Sequence, residues 1–458
     1  MNLMMAFGWA GIMLCLGVFL RARIPLLRNM LVPASVIAGV IGMILMNSGL
    51  ITSTTSAVFT QMVGQLFTIS FISIGLTSAP NPKTPADDSL AKHVAKGALG
   101  MGLVWNILYA LTPAFGALVI LATGKAFGMD PFYGMLIPFA FAQGPGQAAT
   151  FGAIIEQYGW PDAAMVGITF AAVGFLVAFG VGVPLVKWGL KRGLAKNSGK
   201  IDAMVQRGYY KEEEQVVSLG KATTYSGNID TMAFHFAVIG VCYVLAVYIG
   251  KAFALIPGFF GTTMSGMLFL NGMFAAYIVK FLMKKLHIDY LLNNTYQSKI
   301  TGWSADFLVV CAFMAVEFYV VSKWIVPIII ECVVITLVTL VVCMYFGRRF
   351  GGSNDFERTL GLFGTATGTV PSGIALVRIV DPELRTSTAV ELGMMNIPML
   401  LSLVTVMPLM AIASNSLSMT VGFLLLLAPI PVYLIIMRIA GVWGKKKDSG
   451  LNTGQGDV

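Results

Sequence analysis

Two apolar segments of this chain are interrupted in the same way. Residues Phe139–Ile155 read FAFAQGPGQAATFGAII and residues Leu362–Val377 read LFGTATGTVPSGIALV, each broken at its middle by Gly, Pro, Gln or Thr. Laying Gly152 over Gly373 also lays Pro161 over Pro382. A matched pair of breaks in two halves of a chain points to the binding site of a secondary transporter. Broken backbone at membrane depth persists only when buried in protein or lining a wet cavity.

Composition sets the environment. The chain has 458 residues, 57% hydrophobic and 11% charged, with a mean hydropathy of +0.81. That excess of apolar surface requires a polytopic membrane protein. Leu3–Leu20 has no basic n-region and its charges follow it, so it reads as a membrane helix rather than a signal peptide. The five cysteines lie in apolar runs without CxxC spacing, and the three histidines are scattered. Neither a disulfide framework nor a metal site follows from them. No HExxH, GxSxG or Walker A motif is present, which argues against an enzyme.

Hydropathy predicts spans near residues 3–20, 30–47, 58–79, 97–122, 163–186, 232–250, 257–279, 304–322, 324–346, 387–412 and 418–437. If both broken segments return to the side they left, the basic residues sort cleanly. All Lys and Arg except Lys125, Lys251 and Lys323 then fall on one side, which the positive-inside rule makes cytoplasmic. The N-terminus is expected outside and the C-terminus inside.

The polar stretch Lys187–Asp230 divides the chain. The expected fold is an all-α polytopic membrane protein of two inverted repeats. Each repeat has five transmembrane helices and a re-entrant hairpin, and one extra C-terminal helix follows. The expected division is a first repeat over 1–188 (hairpin about 131–160) and a cytoplasmic linker over 189–231. A second repeat over 232–412 (hairpin about 355–382), a helix over 413–440 and a cytoplasmic tail over 441–458 complete it. The linker reads as solvated with a short interfacial helix, and the tail after Lys447 as disordered. Because an odd span count inverts the second half, the first hairpin dips from outside and the second from the cytoplasm. Their tips should meet near the midplane.

The candidate site lies at those tips. Gln143, Gly144, Gly146 and Gln147 on the first, with Thr367, Gly368, Thr369 and Ser372 on the second, are the candidate substrate-binding residues. Half-helix N-termini suit a carboxylate, and unwound carbonyls suit Na⁺. Arg378 reads either as a fork for a substrate carboxylate or as an anchor at the cytoplasmic surface. Thr150, Thr365, Glu391 and Asn396 are the candidate cation ligands. The hydroxyls have an alternative in bonding back to their own helices. Glu317, Glu331 and Glu391 fall within expected spans, where a carboxylate is a cation ligand, a proton carrier or half of an interhelical pair. No metal site or cofactor is expected beyond Na⁺ as coupling ion.

The chain resembles the sodium/glutamate symporter family over nearly its whole length. LVPASVIAG (Leu31–Gly39) is similar to the family's IPEPVAGG, and FISIGLTS (Phe71–Ser78) to its FxxIGLNA. AQGPGQAA, followed by IIEQYGWPDAAMVGITFAAVGF, resembles a Gly-rich motif with an ERYGF-like turn and an apolar helix. GTATGTVPSGIALVRIV resembles GFGLGATPTAIANMQAI. The chain departs from the family at Gly144–Ala148, where GGHGTG is usual, and at Thr365–Thr367, where a Gly-rich run is usual. The extra helix and longer central loop are further departures.

The resemblance implies a homodimer in a bacterial inner membrane, in contact with the lipid bilayer and not with nucleic acid. It implies Na⁺-coupled symport of glutamate by an elevator-like motion of the hairpin-bearing core. The alternatives are another small organic anion, with H⁺ as the coupling ion, or a channel. A channel would need a repeated filter or charge ring, and none is visible.

Overall fold

The computed structural model describes residues 3–77, 88–196, 207–208, 220–350, 354–382 and 384–444. The expected interfacial helix of the linker falls mostly outside these residues, and the tail after Lys447 wholly so. The described residues are helical and include no strand. Among the described residues eight helices are long and apolar enough to cross a membrane, or nine if one bent pair forms a single span. The protein is a multi-pass membrane protein.

In chain order the helices are α1 (Leu3–Arg23), α2 (Ala34–Asn47), α3 (Ser56–Leu76) and α4 (Asp88–Thr123). The short broken helix α5 (Pro131–Phe141), then α6 (Pro145–Gln157) and α7 (Ala163–Lys191), follow. After the central loop come α8 (Thr231–Phe253), α9 (Phe259–Gly266), α10 (Leu268–Lys285), α11 (Asn294–Ala315) and α12 (Ile325–Gly347). The chain continues with α13 (Asp355–Ala366), α14 (Val370–Val380), α15 (Thr388–Ala413) and α16 (Met419–Ile439).

Local chemistry fixes several boundaries. Arg21 and Arg23 close α1, where cations favour a helix C-terminus. Asp230 caps α8 by accepting from the Met232 and Ala233 amides, and Asn293 caps α11 in the same manner. His235 is structural. Its Nδ1 lies 2.7 Å from the Thr231 carbonyl and its Nε2 accepts from the Asn293 amide. That pairing ties α8 to the start of α11.

Three expected spans differ in the structure. The one near 30–47 is a 14-residue helix, short for a bilayer because Pro33 sets its start. The one near 257–279 is the pair α9 and α10, bent by 68°. Asn271 donates to the Met264 carbonyl across that bend. The one near 304–322 is shifted: α11 ends at Ala315 and its first turns are polar. Glu317 therefore sits at a break between α11 and a short helix, Phe318–Ser322, rather than inside a span. Lys323, just beyond that helix, pairs with Asp162 at 3.0 Å.

The helices pack as two groups. In one, α1 lies on α2, α8 on α10, and α3 and α11 cross each other. Ser73 of α3 lies 2.7 Å from both the backbone and side-chain oxygens of Gln297 at that crossing. In the other, α4 is the centre, with α5, α12, α15 and α16 against it. Both broken segments belong to this second group; α6 also touches α3 and α11, and α7 touches α11.

Candidate functional site

The first break lies between α5 and α6. Gly144 has φ +80° and ψ −176°, a conformation essentially restricted to glycine. Pro145 follows at the first position of α6, where its missing N–H costs nothing and its fixed φ suits helix entry. No side chain caps this end. The second break spans Thr367–Thr369, between α13 and α14. Thr369 is extended, Pro371 lies in the first turn of α14, and again no side chain caps the start.

The two breaks touch. A Cβ added to Gly144 would lie 2.7 Å from Thr369 Cγ2 and 3.4 Å from the Gly368 carbonyl. Two uncapped helix N-termini, of α6 and α14, therefore come together at one junction. Each leaves first-turn amides free and carries a partial positive charge. Such ends favour a carboxylate. Just past the end of α13 the Gly368 carbonyl reaches the same junction, while the Ala142 carbonyl just past α5 accepts from Trp105.

The first break is braced from α4. Trp105 Nε1 donates to the Ala142 carbonyl at 3.1 Å. The Tyr109 hydroxyl donates to Gln143 Oε1 at 3.2 Å, and Gln143 Nε2 reaches Ser402 Oγ at 3.5 Å. Trp105 and Tyr109 stack at 4.9 Å. Asn106 Nδ2 donates to the Gly102 and Pro398 carbonyls, which ties α4 to α15. Gln147 is 7% exposed, and its Oε1 has no hydrogen-bond partner among the described residues. An unmet buried acceptor costs free energy unless a ligand meets it. Gly146 faces protein rather than open space, because a Cβ there would lie 2.1 Å from the Phe67 ring. Thr150 bonds back to the Gly146 carbonyl at 2.8 Å.

At the second break the hydroxyls are mostly satisfied locally. Thr365 donates to Gly361 O and Thr367 to Phe363 O, both at 2.8 Å. Ser372 and Thr369 share a long contact of 3.4 Å. The Thr367 carbonyl presses on Gly174 of α7. Arg378, in the last turn of α14, is exposed. Asn396 is also exposed and donates to the Gly393 carbonyl in its own turn.

Glu391 is engaged by a cation of the protein. It is 0% exposed and holds Arg358, itself 1% exposed, through two charge-assisted bonds of 2.7 Å. Ser387 Oγ donates to the same carboxylate, and Arg358 Nη2 lies 3.0 Å from His93 Nε2. Arg358, counted among the loop charges in the sequence, is a buried clamp between α13 and α15. Trp105, Asn106, Tyr109 and Ser402 were not singled out by sequence reasoning. Asn106 within the apolar run WNILYAL was the available signal.

Residues 1–381, which include both breaks, match the family described as sodium/glutamate symporter. The chain belongs to the sodium/glutamate symporter family. No curated protein matches it. The match ends just after α14, so α15, α16 and the Glu391 clamp lie beyond it. The family is one of transporters rather than enzymes, and membership implies sodium-coupled glutamate transport.

Proposed function

We propose that this symporter takes up glutamate with Na⁺ by an elevator-type alternating-access motion. The substrate carboxylates sit at the junction of the two breaks, with Na⁺ beside them. The single observation that carries this reading is the meeting of two uncapped helix N-termini at Gly144 and Thr369. The free amides suit the anion, and the Gly368 carbonyl just past α13 suits the cation. Gln143, Gly144, Gln147, Gly368, Thr369 and Ser372 form the substrate-facing part. Gly146 supports it by fitting against Phe67. The hydroxyls of Thr365 and Thr367 shape the end of α13 beside Na⁺, and Thr150 bonds back within the first turns of α6. Glu391 and Arg358 fix α13 against α15, Asn396 caps its own turn, and Arg378 anchors the surface.

The fold reading is two inverted repeats, 1–188 and 232–412, with hairpins at 131–160 and 355–382. The linker 189–231, the extra helix 413–440 and the tail 441–458 complete the division. Reciprocal packing supports it. Helix α1 lies on α2 as α8 lies on α10, and α2 meets α11 as α10 meets α3. Helix α4 meets α5 as α12 meets α13, while α3–α11 and α4–α12 pair across the halves. A pseudo-two-fold axis in the membrane plane produces that pattern. The hairpin-bearing group around α4 is the moving core, and the group around α3 and α11 is the scaffold through which the protein dimerises. The protein lies in a bacterial inner membrane with its N-terminus outside and its C-terminus in the cytoplasm.

Uptake of radiolabelled glutamate into proteoliposomes tests the reading. Accumulation is expected with an inward Na⁺ gradient and not with choline. Accumulation that follows a pH gradient and ignores Na⁺ would replace the coupling ion, and uptake of a different organic anion would replace the substrate.

A further inference from the structure

The three glutamates that sequence placed in spans have separate fates. Glu391 is paired with Arg358. Glu317 lies at a break and is partly exposed. Glu331 alone is fully buried on a membrane helix, 0% exposed, with neither carboxylate oxygen hydrogen-bonded among the described residues. It projects from α12 onto Gly116 of α4, where α5 also packs. The point at which a Gly116 Cβ would sit lies 2.1 Å from the Gly134 carbonyl oxygen and 2.5 Å from Glu331 Oε1. Pro138, four residues beyond Gly134, has no N–H to give that carbonyl. Two acceptor oxygens thus face one point, and Glu331 has no hydrogen-bond donor among the described residues.

We infer that Glu331 is a proton-binding site: its carboxyl group carries a proton and donates it to the Gly134 carbonyl. One hydrogen satisfies both acceptors and removes an unpaired charge, which is among the costliest groups to keep in a membrane interior. Gly134 belongs to α5, the arm that leads into the first break. Loss of the proton leaves two acceptors facing each other and releases that arm from α12. The same face of α4 runs to the transport site. Tyr109, Thr112 and Gly116 fall at helical spacing, i, i+3 and i+7. The Thr112 hydroxyl is buried without a partner, and the Tyr109 hydroxyl donates to Gln143.

The neighbouring ionisable groups leave the proton as the fitting ligand. On α12 itself they are Cys332, Cys343 and Tyr345. On α4 they are Lys92, His93, Lys96 and Tyr109. Beside α5 they are Asp130 and Tyr133, and beside and along α7 they are Asp162, Lys187 and Lys191. On α13 they are Asp355, Glu357 and Arg358, against the opposite end of α12 where Thr359 meets Gly347. None of them forms a hydrogen bond or ion pair with Glu331.

Infrared spectroscopy of the purified protein tests this without any substrate, so its outcome is separable from that of the glutamate reading. A carboxylic-acid C=O band is expected at neutral pH in the parent and should be lost in Glu331→Gln. That variant keeps the size and can still donate to Gly134. In Glu331→Asp the band should persist at a higher frequency, because the shorter acid no longer reaches the carbonyl. A parent without the band, or a Glu331→Gln protein that retains it in full, overturns the inference. Uptake adds a second reading. The parent's rate should change with pH and that of Glu331→Gln should not, whereas identical profiles would contradict a proton released during the cycle.

Discussion

The two breaks are alike in sequence pattern and differ in how the protein holds them. The first is left open at its side chains. Gln147 has an unmet oxygen, and Gln143 is aimed by a tyrosine from another helix. The second is closed on itself, with Thr365 and Thr367 each bonded one turn back. The arm that precedes it is tied to α15 by the Arg358–Glu391 clamp. The difference assigns roles. On the proposed reading, Gln143 and Gln147 of the first break meet the ligand with amide side chains, and the second break meets it mainly with its helix N-terminus.

That contrast can be broken by mutation. The largest effect is expected at the clamp. Glu391→Gln leaves Arg358 buried beside a neutral amide, and removing one partner of a buried pair costs about 3–5 kcal/mol. Thermal unfolding in detergent should show a marked loss of stability. A Glu391→Gln protein as stable as the parent would mean the second break is not anchored there.

Next in size is Gly144→Ala. The backbone conformation alone costs about 1–3 kcal/mol for a residue with a side chain. The new methyl also meets Thr369 Cγ2. Uptake should fall to background while the protein still inserts. Adding Thr369→Ser removes the clashing methyl and should recover part of the rate. No recovery would show that strain at Gly144, and not contact between the breaks, controls transport.

Smaller again is Gln147→Ala. A hydrogen bond to a charged ligand contributes about 1.5–3 kcal/mol, so the apparent affinity for glutamate should weaken roughly tenfold or more. The smallest effect is expected at Thr365→Val, which keeps the shape and loses only a local bond. Uptake should change by about twofold at most. If Thr365→Val weakens Na⁺ dependence more than Gln147→Ala weakens glutamate binding, the division of roles between the breaks is reversed.

Both breaks were legible in the sequence because Gly and Pro inside an apolar run leave few helical solutions. The expected meeting of their tips agrees with the closeness of Gly144 and Thr369. What holds them was not. Trp105 and Tyr109 act on residues more than thirty positions away, and nothing in WNILYAL says which neighbour its polar groups face. Arg358 and Glu391 each resembled ordinary membrane charges, one at a loop and one free in a span. Only the packing of α13 on α15 makes them a pair. Gly146 looked like space for a ligand because a glycine in a break can serve either a turn or a close neighbour. Here the neighbour is Phe67. The spans near 30–47 and 304–322 were misjudged because hydropathy averages over the short α2 and the polar start of α11.

If anion and Na⁺ share the junction of the two breaks, each must raise the other's affinity by the same factor. Calorimetric titration of glutamate into purified protein, in Na⁺ and in choline at constant ionic strength, measures this directly. Binding is expected to be tighter in Na⁺ by a coupling on the order of 1–3 kcal/mol, about five- to 150-fold. Equal affinity in the two salts would contradict it.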